Sequence, residues 1–345
     1  MNSSIHSFVS KNGLVLDGGM GSAVQLIDTD IERDYLGREN CTDILTRSRP
    51  DIIRGIHDSF LKIGVDAIET NTFGANRLVL SEFDAEAASW AYELNVRSAA
   101  IAREACDAFD GDRFVLGSMG PGTKLISLGQ VLWASMLDSY TEQASGLIEG
   151  GVDAFLIETC QDILQVKCAI NACLNALAQS GKSADEIPIM VSITIETTGT
   201  MLVGSDLQTV VHALTPYPIF SLGLNCATGP VQMKEHIKYL AENSPLIFVL
   251  HGYTSSANNI MNYSNMNSIA DQNGFAVCYP QGTSDQYNNN FWNVGYAFHG
   301  NQTVDDVGFL TSLATYLQNE YSLSLQSTFS TGMSNGGDMS YMLAC

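Results

Sequence analysis

Gly332, Ser334 and Gly336 lie in the pattern G-x-S-x-G within STGMSNGGDMSYMLAC, residues 330–345. A serine flanked this way can sit on a tight turn from a strand into a helix, with its Oγ raised clear of a sheet as a nucleophile. The hydroxyl gains nucleophilic strength at neutral pH only when a base stands beside it. On this scaffold the acid and the histidine follow the serine in chain order. The 11 residues after Ser334 hold no histidine, so the sequence predicts a nucleophile turn without its base. Asp305 and Asp306 precede the serine and read as helix caps.

A second set of reactive side chains lies earlier. Asp17, Glu69, Thr70, Asn71, Thr72, Glu158, Asn225 and Cys226 each stand where a short apolar run ends. Carboxylates hold a cationic group, amides and hydroxyls orient a ligand, and a thiolate attacks or binds a soft metal. Singly, such residues have plainer roles. Asp17 before two glycines reads as a turn residue, Glu158 as a cap on the next helix, and Cys226 as a small buried hydrophobe. Together, at corresponding strand ends, they point to one mouth.

The elements that would position them alternate along the chain. Apolar runs at 14–19, 66–71, 113–118, 153–158, 188–195 and 219–225 read as strands. Helical periodicity fills 50–63, 85–109, 132–150, 163–179, 207–214 and 230–241. About six βα units predict an α/β fold with a parallel sheet, either doubly wound or a barrel. No G-x-G-x-x-G opens the first helix, which argues against dinucleotide binding. In a barrel, the C-terminal strand ends form the active face.

Composition divides the chain. All 16 Lys and Arg lie at or before Lys238, and the Asn-, Ser- and Tyr-rich stretch from Ile247 onward has none. Two segments, 1–245 and 246–345, are therefore expected, with a boundary near Pro245. A net charge of −21 argues against nucleic acid or an anionic membrane as partner. No run of 18 apolar residues and no secretory leader is read, so the expected location is cytoplasmic. The eight cysteines form no C-x-x-C pair and read as free thiols.

The first segment resembles the homocysteine-binding domain of cobalamin-dependent methionine synthase. The motifs are LDGGMGS, ETNTFGAN, GSMGPGTKL, IEGGVDAFLIETCQDILQVKCAI and FSLGLNCATGP, spread over about 10–245. The resemblance implies a (β/α)8 (TIM-type) barrel, truncated here after the sixth βα unit. It implies that zinc on three cysteine thiolates activates the homocysteine thiol for methyl transfer. Methylcobalamin on a separate cobalamin-bearing domain or protein would be the donor. By the same resemblance, Cys226 is a zinc ligand and Asn225 lies near the metal. Asp17 and Gly18 contact the homocysteine amino group and backbone, Glu158 faces the amine, and Thr72 lines the mouth. The family's other two ligands are adjacent cysteines, and no Cys-Cys pair occurs in this sequence. The zinc site is thus expected to be incomplete and the chain inactive as a methyltransferase.

The second segment resembles the start of a polyhydroxybutyrate-depolymerase or feruloyl-esterase type α/β-hydrolase. PLIFVLHGYTSSANN, GFAVCYPQG, FWNVG, DDVGFL and the serine motif carry that likeness. It implies Ser334 as nucleophile, with oxyanion donors at Asn335 and in the loop around Gly252 and Tyr253. About three parallel strands are expected at 246–251, 275–280 and 327–332. The first two could occupy the seventh and eighth barrel places, but a separate sheet is the expectation. The loop 287–292 reads as solvated with one packed aromatic. Three function classes follow: a homocysteine S-methyltransferase, a serine esterase, and an inert hybrid of two partial genes.

Overall fold

The computed structural model describes residues 4–9, 13–242, 246–273, 275–299, 301–321, 323–324 and 328–344. The chain folds as two compact units, Met1–Gln232 and Met233–Cys345. The boundary read near Pro245, and Cys345, lie outside the described residues. Among those described, no helix is long and apolar enough to cross a membrane.

The first unit is built on a parallel sheet. Its strands are β1 (Ala67–Glu69), β2 (Phe114–Met119), β3 (Ala154–Cys160), β4 (Ile189–Ile193) and β5 (Ser221–Leu224). Each pairs with the next, so spatial order follows chain order, as in the wall of an α/β barrel. Successive side chains of a strand face opposite ways. One face carries Ala67, Phe114, Leu116, Ala154 and Leu156, packed with Leu14, Leu16 and Met190 as a single apolar cluster. The short helix Ile5–Val9 joins this cluster through Ile5, Phe8 and Val9, with Phe8 edge-on to Phe114 at 5.2 Å. Advancing two residues along each strand on the same face replaces these apolar layers with Glu69, Ser118, Glu158 and Ser192. The period of two thus carries the strands from a dry core into a polar end.

Helices cover the other face. Pro50–Ile63 begins with proline, whose missing N–H costs nothing in a first turn, and ends at Gly64 with φ 95°. Asn76, Asp84, Asp162 and Asp206 each cap a helix through the side chain. Helices Ala91–Asp107 and Trp133–Gly150 approach closely because Gly146 and Gly150 carry no side chain there. A Cβ on Gly150 would fall 2.5 Å from the Val96 carbonyl oxygen.

The expected first strand, 14–19, is reduced to one parallel bridge between Leu16 and Ala67. Backbone bonds from Ala67 N–H to Val15 O at 3.2 Å and from Asp17 N–H to Ala67 O at 3.1 Å flank the bridge, and side chains replace the ladder beyond them: Val15 N–H donates to Asp66 Oδ2 at 2.9 Å, and Glu69 N–H donates to the Asp17 carboxylate. Gly18 and Gly19 then lead directly into the helix Met20–Val24. The expected helix over 85–109 is two, Ala85–Ser89 and Ala91–Asp107, meeting at Trp90.

The second unit holds a parallel three-stranded sheet. Central β6 (Leu246–Leu250) lies between β7 (Ala276–Cys278) and β8 (Thr328–Gly332). Phe248 pairs with Cys278 on one side and Ser330 on the other, so these strands form their own sheet. Leu246, Phe248, Leu250, Trp292, Leu310 and Met339 make its core. Asp305 caps the helix Asp306–Glu320, accepting from Gly308 N–H at 2.8 Å. In the loop 287–292 two aromatics are packed, not one: Phe291 and Trp292 are both fully buried.

Candidate functional site

At the polar end of the first unit's sheet, three carboxylates come together from separate elements. Asp17 follows the Leu16 bridge, Glu69 ends β1, and Glu158 lies near the end of β3. Glu69 N–H donates to Asp17 Oδ1 at 3.2 Å and Oδ2 at 3.1 Å. Ser118 Oγ on β2 donates to Glu158 Oε1 in a short bond. Burial is the main cause that raises all three above the ordinary carboxylate range. Asp17 is pushed up to about 7, with the Glu158 charge adding to burial. Glu69 is raised further, because both Glu158 and Asp17 repel its charge. No Lys or Arg acts on any of the three. Among the described residues the cluster therefore has no cation of its own.

Beside it, β3 carries an extra residue. Ile157 pairs with Val191 and Cys160 with Ile193, so Glu158 and Thr159 oppose Ser192 alone. Thr159 has φ 59°, which a β-branched residue adopts only when its surroundings hold it there. Asn225, just past β5, does the holding. Its Oδ1 accepts from Thr159 N–H at 3.1 Å and Ser192 Oγ at 2.8 Å, and its Nδ2 donates to Thr159 Oγ1 at 2.7 Å. One amide thus ties the ends of β3, β4 and β5. Cys226 follows with φ 59° and an exposed thiol. Its Sγ lies 3.5 Å from Asn225 Nδ2 and 3.9 Å from Thr159 Oγ1.

These surroundings do not fit zinc. A neutral amide nitrogen has its lone pair delocalised into the carbonyl, and a threonine hydroxyl is a poor zinc donor. Cys160, the nearest thiol along β3, is fully buried, and burial pushes its thiol far up. Among the described residues no group of three or more His, Cys, Asp or Glu side chains could hold a metal ion.

In the second unit, Ser334 has φ 52° between β8 and the helix Asn335–Ala344. A Cβ on Gly332 would lie 2.4 Å from the Gly336 carbonyl carbon, and one on Gly336 2.4 Å from the Leu250 oxygen. Only glycine at both positions permits this approach. Asn335 is buried, and its side chain accepts from Trp292 N–H at 2.7 Å and donates to Trp292 O at 3.0 Å. Gly252 lies against the turn, and Tyr253 donates its hydroxyl to Asp285 Oδ2 at 2.6 Å. His251 is committed elsewhere. Its Nδ1 lies 2.9 Å from Gly252 O, a donor's position, and its Nε2 accepts from Gly282 N–H at 3.0 Å. His299 is fully buried, with Nε2 on Asp285 Oδ2 at 3.1 Å. Met333 lines an open cleft of about 470 Å³ with Ser255, Asn259, Ile260, Asn262 and Tyr263.

Of the residues read from sequence, the structure brings Asp17 and Glu158 together, and Asn225 with Cys226. Gly18 packs on Phe60, whose ring would lie 3.2 Å from a Cβ. Thr72 is not free at the mouth: its hydroxyl donates to Ser118 O at 2.7 Å and meets Thr70 Oγ1 at 2.6 Å, all buried. Glu69 is among the polar strand ends that the sequence marks; Ser118, Thr159 and Ser192 are not. The period of two, continued past the apolar layers, points to Glu69, Ser118 and Ser192. No local signal marks Thr159.

The family model described as homocysteine S-methyltransferase matches residues 14–295. The methionine synthase of Mycobacterium tuberculosis (strain ATCC 25618 / H37Rv) is 43% identical over 239 residues, which is 68% of this chain and 20% of that protein. That of Mycobacterium leprae (strain TN) is 43% identical over 234 residues, covering 67% and 19%. The chain thus spans about a fifth of the length of these curated relatives. Among solved structures, the homocysteine methyltransferase MmuM from Escherichia coli in its oxidized form superposes with a TM-score of 0.54 at 17% identity, over 80% of this chain and 94% of that one. Its metallated form gives 0.53 at 17% identity, over 79% and 92%. These two are a likeness of fold.

Proposed function

Because this chain belongs to the homocysteine S-methyltransferase family, we propose that the polar end of its first unit binds homocysteine as the acceptor of a methyl group. The carboxylate cluster of Asp17, Glu69 and Glu158 carries this reading. It supplies negative charge where no Lys or Arg answers it, and the ammonium group of an amino acid fits that need. Asn225 and the strained Thr159 stand where the side chain of the ligand would reach, with Cys226 beside its sulfur. Methyl transfer would form a carbon–sulfur bond, break the bond between the methyl group and its donor, and release the thiol proton. Methylcobalamin on another domain or protein is the donor we propose, from the likeness to methionine synthases.

Among the described residues the zinc site of the family is not built. An unactivated thiol is a few per cent ionised near pH 7, given an ordinary value of about 8.5. Turnover by this chain alone is therefore expected to be slow. Titration calorimetry with homocysteine tests the binding. Replacing Glu158 by Gln should weaken it by roughly tenfold to a hundredfold, the worth of a charge-assisted hydrogen bond. Equal affinity of the wild type and the variant would refute the assignment.

A second reading concerns Ser334. The close approach of Gly332, Gly336 and Leu250, with φ 52° at the serine, supports a hydrolase-like nucleophile turn. His251 has both ring nitrogens engaged, so the turn has no base from that residue. We propose a hydrolase-like segment without esterase activity.

A further inference from the structure

We infer that the mouth of the first unit recognises its ligand by the ammonium group, without zinc and with little regard for sulfur, so that homoserine and homocysteine bind it comparably. The inference rests on the homocysteine reading above and on the misfit between this chain's donor set and zinc.

Two ends of the ligand must be held, and the chain furnishes them unequally. The amine end faces three carboxylates gathered from three elements, each raised by burial and none answered by a Lys or Arg. Burial and mutual repulsion favour the neutral form of these acids, and an ammonium group beside them stabilises their charged form, so a cationic ligand gains here. The sulfur end faces a different environment. A metal–thiolate bond would select sulfur sharply over oxygen, because thiolates are soft ligands and an alcohol stays protonated. In its place stand Asn225 Nδ2, at 3.5 Å from Cys226 Sγ, and Thr159 Oγ1, at 3.9 Å. Asn225 is itself pinned by Thr159 N–H and Ser192 Oγ, so it cannot turn to offer other chemistry. Amides and hydroxyls accept a thiol or an alcohol alike. Sites that merely contact such a group separate near-isosteres by only about 10- to 200-fold, and a polar lining narrows the gap for the hydroxyl.

The experiment is calorimetric titration of the full chain with homocysteine and with homoserine, each in EDTA and with one equivalent of zinc. The expected result is a ratio of dissociation constants below about tenfold between the two ligands. Neither value should change more than about twofold between EDTA and zinc. Both ligands should weaken in Glu158→Gln and in Asp17→Asn, with thermal melts confirming that at least one variant is folded. A preference for homocysteine above about tenfold overturns the inference. So does homocysteine binding that appears only with zinc and vanishes in Cys226→Ser. Those two outcomes leave the amino-acid reading standing. Failure of both ligands to bind in either condition sinks that reading and the inference with it.

Discussion

The backbone N–H of Glu69 donates to the side chain of Asp17, at 3.1 Å to Oδ2 and 3.2 Å to Oδ1, across 52 residues of chain. A carboxylate here occupies the position of a ladder carbonyl. It ends the pairing of the first apolar run and sets its own charge beside that of Glu69. The fold thereby places two acids in one partly buried spot, and their mutual repulsion is built into the sheet.

This arrangement has a pH signature. Asp17 is raised from 3.8 to about 7, chiefly by burial. A raised acid contributes stability that is fully present below its unfolded value and is lost as pH rises through its folded value. The window is thus about pH 4 to 7. Asp17→Asn keeps the acceptor for Glu69 N–H and removes the charge. Its melting temperature relative to the native chain should climb between pH 4 and pH 8 in scanning calorimetry. A pH-independent difference would contradict the burial of this carboxylate.

His57 makes the opposite prediction. It lies fully buried in the helix Pro50–Ile63, with no hydrogen-bond partner for either ring nitrogen among the described residues. Burial lowers it from 6.5 to about 4. The unfolded chain takes up the proton first, so stability is present above 6.5 and is lost as pH falls toward 4. Full protonation costs roughly 3 kcal/mol, at about 1.4 kcal/mol for each pH unit of displacement. Urea midpoints at pH 4.5 and 7 should differ more in the native chain than in His57→Leu. Equal differences would show that the ring finds a partner.

Helix packing supplies a paired test. Gly150→Ala would place a Cβ 2.5 Å from the Val96 oxygen and 2.5 Å from Ala99 Cβ. The helices must separate, at a cost of about 1–3 kcal/mol. Gly55, exposed within the helix Pro50–Ile63, has nothing within 4 Å of its Cβ position. Gly55→Ala should stabilise by about 0.5–1 kcal/mol. Chemical denaturation reads both signs, and stabilisation by the first change would contradict the helix contact.

Ser334 should be inert to a fluorophosphonate probe. His251 Nε2 accepts from Gly282 N–H at 3.0 Å, and His299 Nε2 is spent on Asp285. A hydroxyl without a base reacts slowly. Labelling should not exceed that of Ser334→Ala by mass spectrometry, and clear adduct formation at Ser334 would overturn this.

What the sequence by itself determined is whatever repeats locally. Apolar runs ending in Glu69 and Glu158, the helical periodicity between them, the glycines around Ser334 and the loss of basic residues after Lys238 are all properties of neighbours in the chain. A period of two also places Ser118 and Ser192 beside the carboxylates once the strands are aligned. The alignment itself is not local. Parallel strands are joined by crossovers, so their register is decided by contacts between residues far apart. The bonds of Asn225 to Thr159 span 66 residues. They hold the left-handed backbone of a β-branched residue that no propensity would place there. Likewise the Leu16 strand stops at one bridge, where the Asp66 side chain takes Val15 N–H and the Asp17 side chain takes Glu69 N–H. Thr72 loses its hydroxyl to Ser118 O, and His251 its ring nitrogens to Gly252 and Gly282. Only the tertiary structure decided these, because each is a competition for a hydrogen-bonding group between partners that the chain brings together only when folded.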